Sequence, residues 1–398
     1  MAQLDARIAQ EAKAVTRKEV MLKAIEGRIT WLQAAAILGI SARHMRRLKE
    51  RYEAFGFGGL RDRRCGTPRR KRIPVDQIEK LCRLKRDLYP DFSIQHFYEK
   101  ATEKHGIRIS YTWTRVVLEN AGLVEKAPGR GKYRRRRERR PMTGMLVHMD
   151  ASTHEWVAGQ PKRDLVVALD DADGRILYAG FFPEEGTVST FVALKAVLKR
   201  YGRFCELYTD RGSHFGRTTH AELGPDDEQT GQVSRALKAL GVRQIFARSP
   251  QARGRSERLW ETLQGRLPQE LRAAALTQYG ADTDRFLVHT FVPDFNRRFT
   301  VPPQERETAF VPIVGVDLKL LLSSQHQRIV NNDSTVSFGG RTLQLPRLPE
   351  RPHFVRCPVL VHELPDGTLA VSYQGRELAR FTNDGNLLQR ARRGTKAS

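Results

Sequence analysis

Between Met145 and Phe246 the chain passes through short apolar runs and helical stretches in an order that few architectures accommodate. Met145–Asp150, Leu165–Leu169 and Arg175–Phe182 are short apolar runs, and Asp171–Gly174, between the last two, has the residues of a hairpin turn. The period then changes. Val188–Tyr201 and Gln232–Leu240 repeat apolar residues at helical spacing and alternate with two further short runs, Glu206–Thr209 and Val242–Phe246. Strands joined by a tight turn pair antiparallel, whereas strands reached through a helix pair parallel. The order therefore predicts a mixed five-stranded sheet with helices packed on it.

Two of these runs close on aspartate. MLVHMD ends at Asp150 and CELYTD at Asp210, and the carboxyl ends of strands are where open α/β sheets place their ligands. The stretch Ser249–Leu267, SPQARGRSERLWETLQGRL, brings a third acid. Leu259, Trp260, Leu263 and Leu267 recur at helical spacing, which predicts an amphipathic helix with Glu257, Glu261 and Gln264 on one face. By itself this pattern fits Glu257 and Glu261 merely pairing with Arg253 or Arg258 on a solvated helix. Together with the aspartates it fits a metal site. Mg²⁺ is held by one or two carboxylates, water and substrate phosphate oxygens, and two such ions clamp both oxygens of an in-line phosphoryl displacement. Other acids have structural readings: Asp170 and Asp171 sit in the hairpin turn, and Glu184 and Glu185 open a helix. His148 shares a strand face with Asp150 and is read as a satisfied histidine. Trp156 and Trp260 are read as core.

HMDASTHEWV, LDDADGRILYAGFF, ELYTDRGSHF and above all ARSPQARGRSERLWETLQGRL resemble the integrase-core DDE transposases of bacterial insertion sequences, of the ISNCY-type group, which are related to retroviral integrases. The resemblance runs from Thr30 to roughly Pro312. It implies a ribonuclease-H-like α/β core, an order that the runs above support. It also implies that Asp150, Asp210 and Glu257 are the catalytic triad and the metal ligands, with two Mg²⁺ or Mn²⁺ ions. Expected partners are double-stranded DNA, both element ends and target, and further copies of the chain in a homo-oligomer on DNA. Strand transfer conserves bond energy, so no nucleotide cofactor is expected, and no phosphate-loop motif is present. Two other readings stay open: a silenced transposase acting as a DNA-binding regulator, and a structure-specific nuclease.

The amino-terminal part fits a polyanionic partner. The whole chain has a formal net charge of +24, and residues 1–142 hold 35 Lys+Arg against 16 Asp+Glu. From Arg17, two helical patterns flank LGIS, where Gly39 permits a tight turn and Ser41 is a good N-cap. The second helix turns Met45, Leu48 and Tyr52 inward and Arg43, His44, Arg46, Arg47 and Lys49 outward, as a helix-turn-helix does. After glycines that break this helix comes a basic arm with Arg61, Arg63, Arg64, Arg69, Arg70 and Lys71, suited to tracking phosphates. A second set of helices, capped by Ser93 and Ser110, is either another helix-turn-helix or a packing spacer. KYRRRRERR then presents Arg134, Arg135, Arg136 and Arg137 as a DNA clamp ahead of the core. Arg253, Arg255 and Arg258 complete the expected DNA-binding residues.

Beyond Phe299 a Pro302–Pro303–Pro312 segment is expected to leave the core through a connector, followed by short β runs that predict a small barrel and a basic tail. The expected divisions are 1–60 helix-turn-helix, 61–72 basic linker, 73–127 second helical domain, 128–142 polybasic linker, 143–305 core, 306–325 connector, 326–385 barrel and 386–398 tail. Cys65, Cys82, Cys205 and Cys357 lack CxxC spacing, so no disulfide framework or zinc knuckle is expected, unlike the zinc-bearing amino-terminal domain of retroviral integrases. No run approaches a membrane span, and the start lacks a signal-peptide core. The expected location is the bacterial cytoplasm, at the nucleoid.

Overall fold

The structure is a computed structural model that describes residues 17–60, 73–125, 138–210, 212, 215, 231–247, 254–348 and 351–390. The chain divides into two compact units, Met1–Ile78 and Glu79–Ser398.

In the first unit, helix α1 (17–25) is followed by α2 (Trp31–Ile37) and α3 (Ala42–Phe55). Polar caps set where these helices begin. Thr30 Oγ1 accepts the Gln33 N–H at 3.2 Å while Gln33 Oε1 accepts the Thr30 N–H at 2.8 Å, a reciprocal capping box. Gly39 makes the turn at φ +64°, and Ser41 Oγ accepts the His44 N–H at 3.3 Å. Met45 and Leu48 then pack on Val20, Met21, Ala34 and Ala35, so Arg43, His44, Arg46 and Arg47 are left exposed. The glycines after α3 do more than end it. A 3₁₀ turn over Gly56–Leu60 folds back and buries Leu60 in the same core, and a Cβ on Gly59 would collide with the Arg51 carbonyl.

The unit boundary falls inside α4 (Val75–Asp87), which leads to α5 (Ile94–His105) and α6 (Tyr111–Asn120). Buried Lys85 fastens the α4–α5 turn by donating to the carbonyls of Tyr89, Pro90 and Phe92 at 2.9, 2.8 and 2.8 Å. Ser93 and Ser110 cap α5 and α6 as expected.

The core sheet has the order β3-β2-β1-β4-β5, with β1 (Leu146–His154), β2 (Arg163–Asp170), β3 (Ile176–Phe182), β4 (Glu206–Thr209) and β5 (Arg243–Phe246). The β1–β2 and β2–β3 pairs are antiparallel; β1–β4 and β4–β5 are parallel. This is the mixed sheet predicted from the order of runs. Alternate residues face opposite layers. Val147, Met149, Val166 and Ala168 pack under α7 (Thr187–Arg200) and α8 (Gln232–Leu240). Leu165, Val167 and Leu169 pack under α9 (Gly254–Gln264), α10 (Leu267–Ala273) and a continuous helical stretch of α11 (Ala281–Phe286), a π turn and α12 (Val292–Phe299).

Two expectations change here. Asp150 does not close its strand: β1 has nine residues and stays paired with β2 from Val147↔Asp170 to His154↔Arg163. A ladder needs backbone pairing, and the polar AlaSerThrHis tail supplies it without apolar side chains. Nor does the proline segment leave the core. Residues 203 and 311 exchange backbone hydrogen bonds at 2.7 and 2.9 Å, Phe310 and Ile313 pack against the α7–α8 layer, and α13 (Leu318–Leu321) follows on the same surface.

The carboxyl-terminal strands form an antiparallel sheet of order β12-β11-β10-β9-β6 and a two-stranded ribbon β7-β8. They are β6 (Ser324–Ile329), β7 (Thr335–Phe338), β8 (Arg341–Gln344), β9 (Pro358–Glu363), β10 (Leu369–Tyr373), β11 (Arg376–Phe381) and β12 (Leu387–Arg390). Val336 and Leu343 of the ribbon share one core with Val361, Val371 and Phe381 of the sheet. Among the described residues no pairing closes the sheet into the expected barrel, because alternation fixes which face is buried but not whether the outer strands meet. The sheet also begins earlier and ends later than expected: β6 starts in the segment read as connector, and β12 occupies residues assigned to the tail. No helix among the described residues is long and apolar enough to cross a membrane.

Candidate active site

The parallel register of β1 and β4 pairs Leu146 with Glu206, Val147 with Leu207 and His148 with Tyr208. Two residues beyond the last of these pairs stand Asp150, inside β1, and Asp210, directly after β4. Asp150 lies opposite Val167 on β2 and therefore belongs to the face covered by α9. Both aspartates are half-buried. Asp210 Oδ1 accepts the Gly212 N–H at 2.8 Å. The chain just beyond is held by Ser234, whose hydroxyl meets the Phe215 carbonyl at 2.5 Å and Gln244 Oε1 at 2.6 Å.

Helix α9 approaches this pair through its polar face. Trp260 Nε1 donates to Asp150 Oδ2 at 3.0 Å, and Gln264 Nε2 donates to Ser152 Oγ at 2.9 Å. Glu257 is exposed in the first turn of the helix, three positions before Trp260 and on its side. Glu261 is also exposed. Among the described residues no three His, Cys, Asp or Glu side chains are gathered into a metal-holding group. Asp150 and Asp210 offer only oxygen donors, the type with which a protein holds Mg²⁺ when water and substrate phosphate supply the rest.

Neighbouring acids have other partners. His148 is buried with Nε2 2.7 Å from Asp171 Oδ1, and Asp171 Oδ2 accepts the Arg140 N–H at 2.8 Å. Asp170 accepts N–H groups from Gly144 and Ala172 at 2.8 and 2.9 Å, and burial pushes its carboxyl up to about 6 against those bonds. The end of KYRRRRERR is thus tied to the β2–β3 turn, with Arg139 reaching the Ala172 carbonyl and Arg140 also reaching Glu206.

Of the expected DNA-binding residues, Arg43, His44, Arg46, Arg47 and Arg258 are exposed. Arg255 lies in α9, its side chain outside the description, and Arg61, Arg63, Arg64, Arg69, Arg70, Lys71, Arg134, Arg135, Arg136, Arg137 and Arg253 lie outside the described residues. Two features went unread in the sequence. Trp260 reads as an apolar helix position, and only its spacing of three from Glu257 signals contact with the site. The second is a polar junction that docks α5 on the core. His96 and Lys100 meet Glu270 at 2.7 and 2.6 Å, Glu99 meets Arg266 and Arg298 at 2.7 and 3.2 Å, and Glu103 meets Arg298 at 2.6 Å.

Fold and site together define a helix-turn-helix protein with an α/β core that carries one aspartate in β1 and another directly after the parallel neighbour β4. A family model described as a helix-turn-helix domain matches residues 16–72. The chain is 32% identical over 375 residues to "Putative transposase y4bF" of Sinorhizobium fredii, covering 93% of this chain and 81% of that protein. It is 26% identical over 391 residues to the transposase for insertion sequence IS1202 of Streptococcus pneumoniae, covering 89% and 83%. The chain belongs to this family of insertion-sequence transposases. A simian T-cell lymphotropic virus intasome in complex with the PP2A regulatory subunit B56 gamma overlaps 72% of this chain and 93% of its own at 15% identity and a TM-score of 0.33, too loosely to transfer any residue.

Proposed function

We propose that this chain binds the terminal repeats of its insertion sequence and catalyses strand cleavage and strand transfer by a metal-dependent DDE mechanism. What supports the reading is that Asp150 and Asp210 each follow by two residues the last pair of the β1–β4 ladder, and that α9, whose first turn bears Glu257, reaches Asp150 through Trp260. These three carboxylates would hold two Mg²⁺ or Mn²⁺ ions. When bound, the ions offset charge on the scissile phosphate and favour attack on it. Like charges brought together repel, so carboxylates converging here would be stabilised by a bound cation.

The chain's own residues supply the rest. Exposed Arg43, His44, Arg46 and Arg47 on α3 read base edges, while Arg61, Arg63, Arg64, Arg69, Arg70, Lys71 and Arg134–Arg137 hold phosphates. Arg253, Arg255 and Arg258 are assigned to phosphates beside the site, where the start of α9 would add N–H donors. In the first step a P–O bond at the element end breaks, water supplies the new P–O bond, and a 3′-hydroxyl is freed. In the second that hydroxyl displaces a 3′ oxygen in target DNA, so one phosphodiester replaces another and no nucleotide is consumed. Two ends must be held together, which calls for a homo-oligomer on DNA.

The test is incubation of the purified full chain with end-containing duplex, target DNA and Mg²⁺ or Mn²⁺. Metal-dependent cleavage at the end followed by joining is expected. Binding without cleavage would identify a regulator, and cleavage without joining a nuclease; either overturns the reading.

A further inference from the structure

The sheet and α9 are in register with each other. Asp150 and Ser152 are alternate residues of β1 on one face, roughly 6.6 Å apart along the strand. Trp260 and Gln264 are one turn apart on α9, roughly 6 Å along its axis. The two spacings nearly match, so both hydrogen bonds, Trp260 to Asp150 at 3.0 Å and Gln264 to Ser152 at 2.9 Å, form at once. The helix runs alongside the strand in the same sense, and its first turn with Glu257 follows from that fit.

The indole is a specific choice for the contact. Its N–H is donor-only and never carries charge, so it orients a carboxylate without neutralising it, unlike Lys or Arg. The same carboxylate accepts the Ala151 N–H on Oδ1 at 3.1 Å, so a donor reaches each oxygen of Asp150 and helps to set the plane of the group. The ring is itself held, half-buried beside fully buried Trp156 at a centroid separation of 6.4 Å and packed on the Leu259–Leu263 layer. Trp156 is pinned in turn by its Nε1–H to the Arg163 carbonyl at 2.9 Å. An unbroken series of contacts thus connects β2, Trp156, Trp260 and Asp150.

We propose that Trp260 is a positioning residue for the metal site, orienting the Asp150 carboxylate and coupling it to the placement of Glu257. The inference rests on the DDE reading of the previous section. Its role is to fix the orientation of the Asp150 carboxylate before metal arrives, as partners of metal-ligating carboxylates commonly do. Gln264 is the second rivet, holding the helix without touching the aspartate.

Trp260→Phe keeps the aromatic packing and deletes the N–H. In the full chain it is expected to fold as wild type and to require more metal: the Mn²⁺ midpoint for end cleavage rises on the order of tenfold or more, and excess metal restores part of the rate. Gln264→Ala is expected to shift that midpoint less. A readout independent of activity uses 5-fluorotryptophan. The chain has four tryptophans, Trp31, Trp113, Trp156 and Trp260, so single replacement of the other three by Phe assigns the Trp260 resonance even if Trp260→Phe folds poorly. Paramagnetic Mn²⁺ should broaden that resonance most in the wild type and leave it sharp in Asp150→Asn. If Asp150→Asn is inactive while Trp260→Phe keeps the wild-type midpoint, the inference is wrong and the DDE reading stands. A Trp260 resonance indifferent to Mn²⁺ in an active enzyme also overturns the inference. Cleavage by Asp150→Asn would remove the reading beneath it.

Discussion

Glu270 lies within hydrogen-bonding distance of His96, 174 positions earlier in the chain, at 2.7 Å. Lys100 shares the same carboxylate at 2.6 Å, and all three side chains are largely buried. Burial favours a neutral His96, and it pushes Glu270 up, but the bonds from His96 and Lys100 outweigh that and hold Glu270 below its ordinary range. Lys100 is therefore the compensating charge. Glu270→Gln leaves that ammonium buried without its partner, which costs on the order of 3–5 kcal/mol for such pairs. Amide exchange of α5 should accelerate while that of β1 and β2 holds. Unchanged protection over 94–105 would refute the importance of the junction.

A second titration tests the carboxyl-terminal sheet. Burial lowers His362 from its ordinary 6.5 to about 4, against a hydrogen bond at the Leu320 carbonyl. Its ring contacts Ser323 at 2.9 Å and Ser372 at 2.7 Å. Because the folded form resists protonation, its contribution is complete above pH 6.5 and declines as pH falls toward 4. The loss by pH 4 is about 3 kcal/mol at most. Thermal melts of the wild type should fall across this window, and His362→Gln should show a shallower slope there. Parallel pH profiles would exclude the assignment.

The proline segment can be tested at one glycine. Gly144 has φ +81°, and a Cβ there would meet the Phe310 backbone N at 2.7 Å and its ring at 2.8 Å. Gly144→Ala combines a left-handed backbone with this collision, so a loss of about 1–3 kcal/mol is expected. Chemical denaturation gives the value. A neutral substitution would mean that residues 300–322 do not lie across the core as described.

These cases show what the sequence discloses and what it withholds. Hairpin turn, helical period and N-caps are local signals, so the sheet order around Asp150 and the turn from Gly39 to Ser41 were legible. The β1 boundary was missed because it depends on pairing with Arg163, not on the character of Ala151–His154. The α5 junction was invisible since His96 and Glu270 are far apart in sequence and each alone looks like a surface residue. Trp260 was legible as packing but not as a donor, because only the fold brings Asp150 to its ring nitrogen. Strand closure at the carboxyl end likewise depends on distant partners.

The proposed division of DNA recognition between affinity and selectivity is open to test. Neutralising phosphates releases counterions, so replacing Arg134–Arg137 with Ala should weaken binding to any duplex and flatten its salt dependence. Arg43 and Arg47 are exposed on α3, the helix that a helix-turn-helix would offer to a major groove. Arg43→Ala or Arg47→Ala should erode preference for element ends by about 1–3 kcal/mol. Binding measured over a salt series on end and random duplexes separates the two effects. Equal loss of preference in the linker variant would contradict the division.

The assignment of Glu257 over Glu261 has the narrowest geometric basis. Both acids are exposed on one side of α9, but they are four residues, about 6 Å, apart along the axis, too far to exchange places at a metal. Trp260 fixes where the helix meets Asp150, and Glu257 lies toward the helix start, where unpaired N–H groups favour a phosphate. Glu261 lies on the other side of Trp260, toward Gln264 and Ser152, with no aspartate ahead of it on β1. Glu257→Gln should abolish cleavage and joining, as should Asp150→Asn and Asp210→Asn, with end binding intact or improved. Glu261→Gln should cost less than about tenfold in rate, or ~1.4 kcal/mol in barrier height. Rates from single-turnover cleavage of an end duplex decide between them, with thermal melts confirming that each variant is folded. An inactive Glu261→Gln beside an active Glu257→Gln would place the third ligand one helical turn later, and would require α9 to advance along β1 by the same distance.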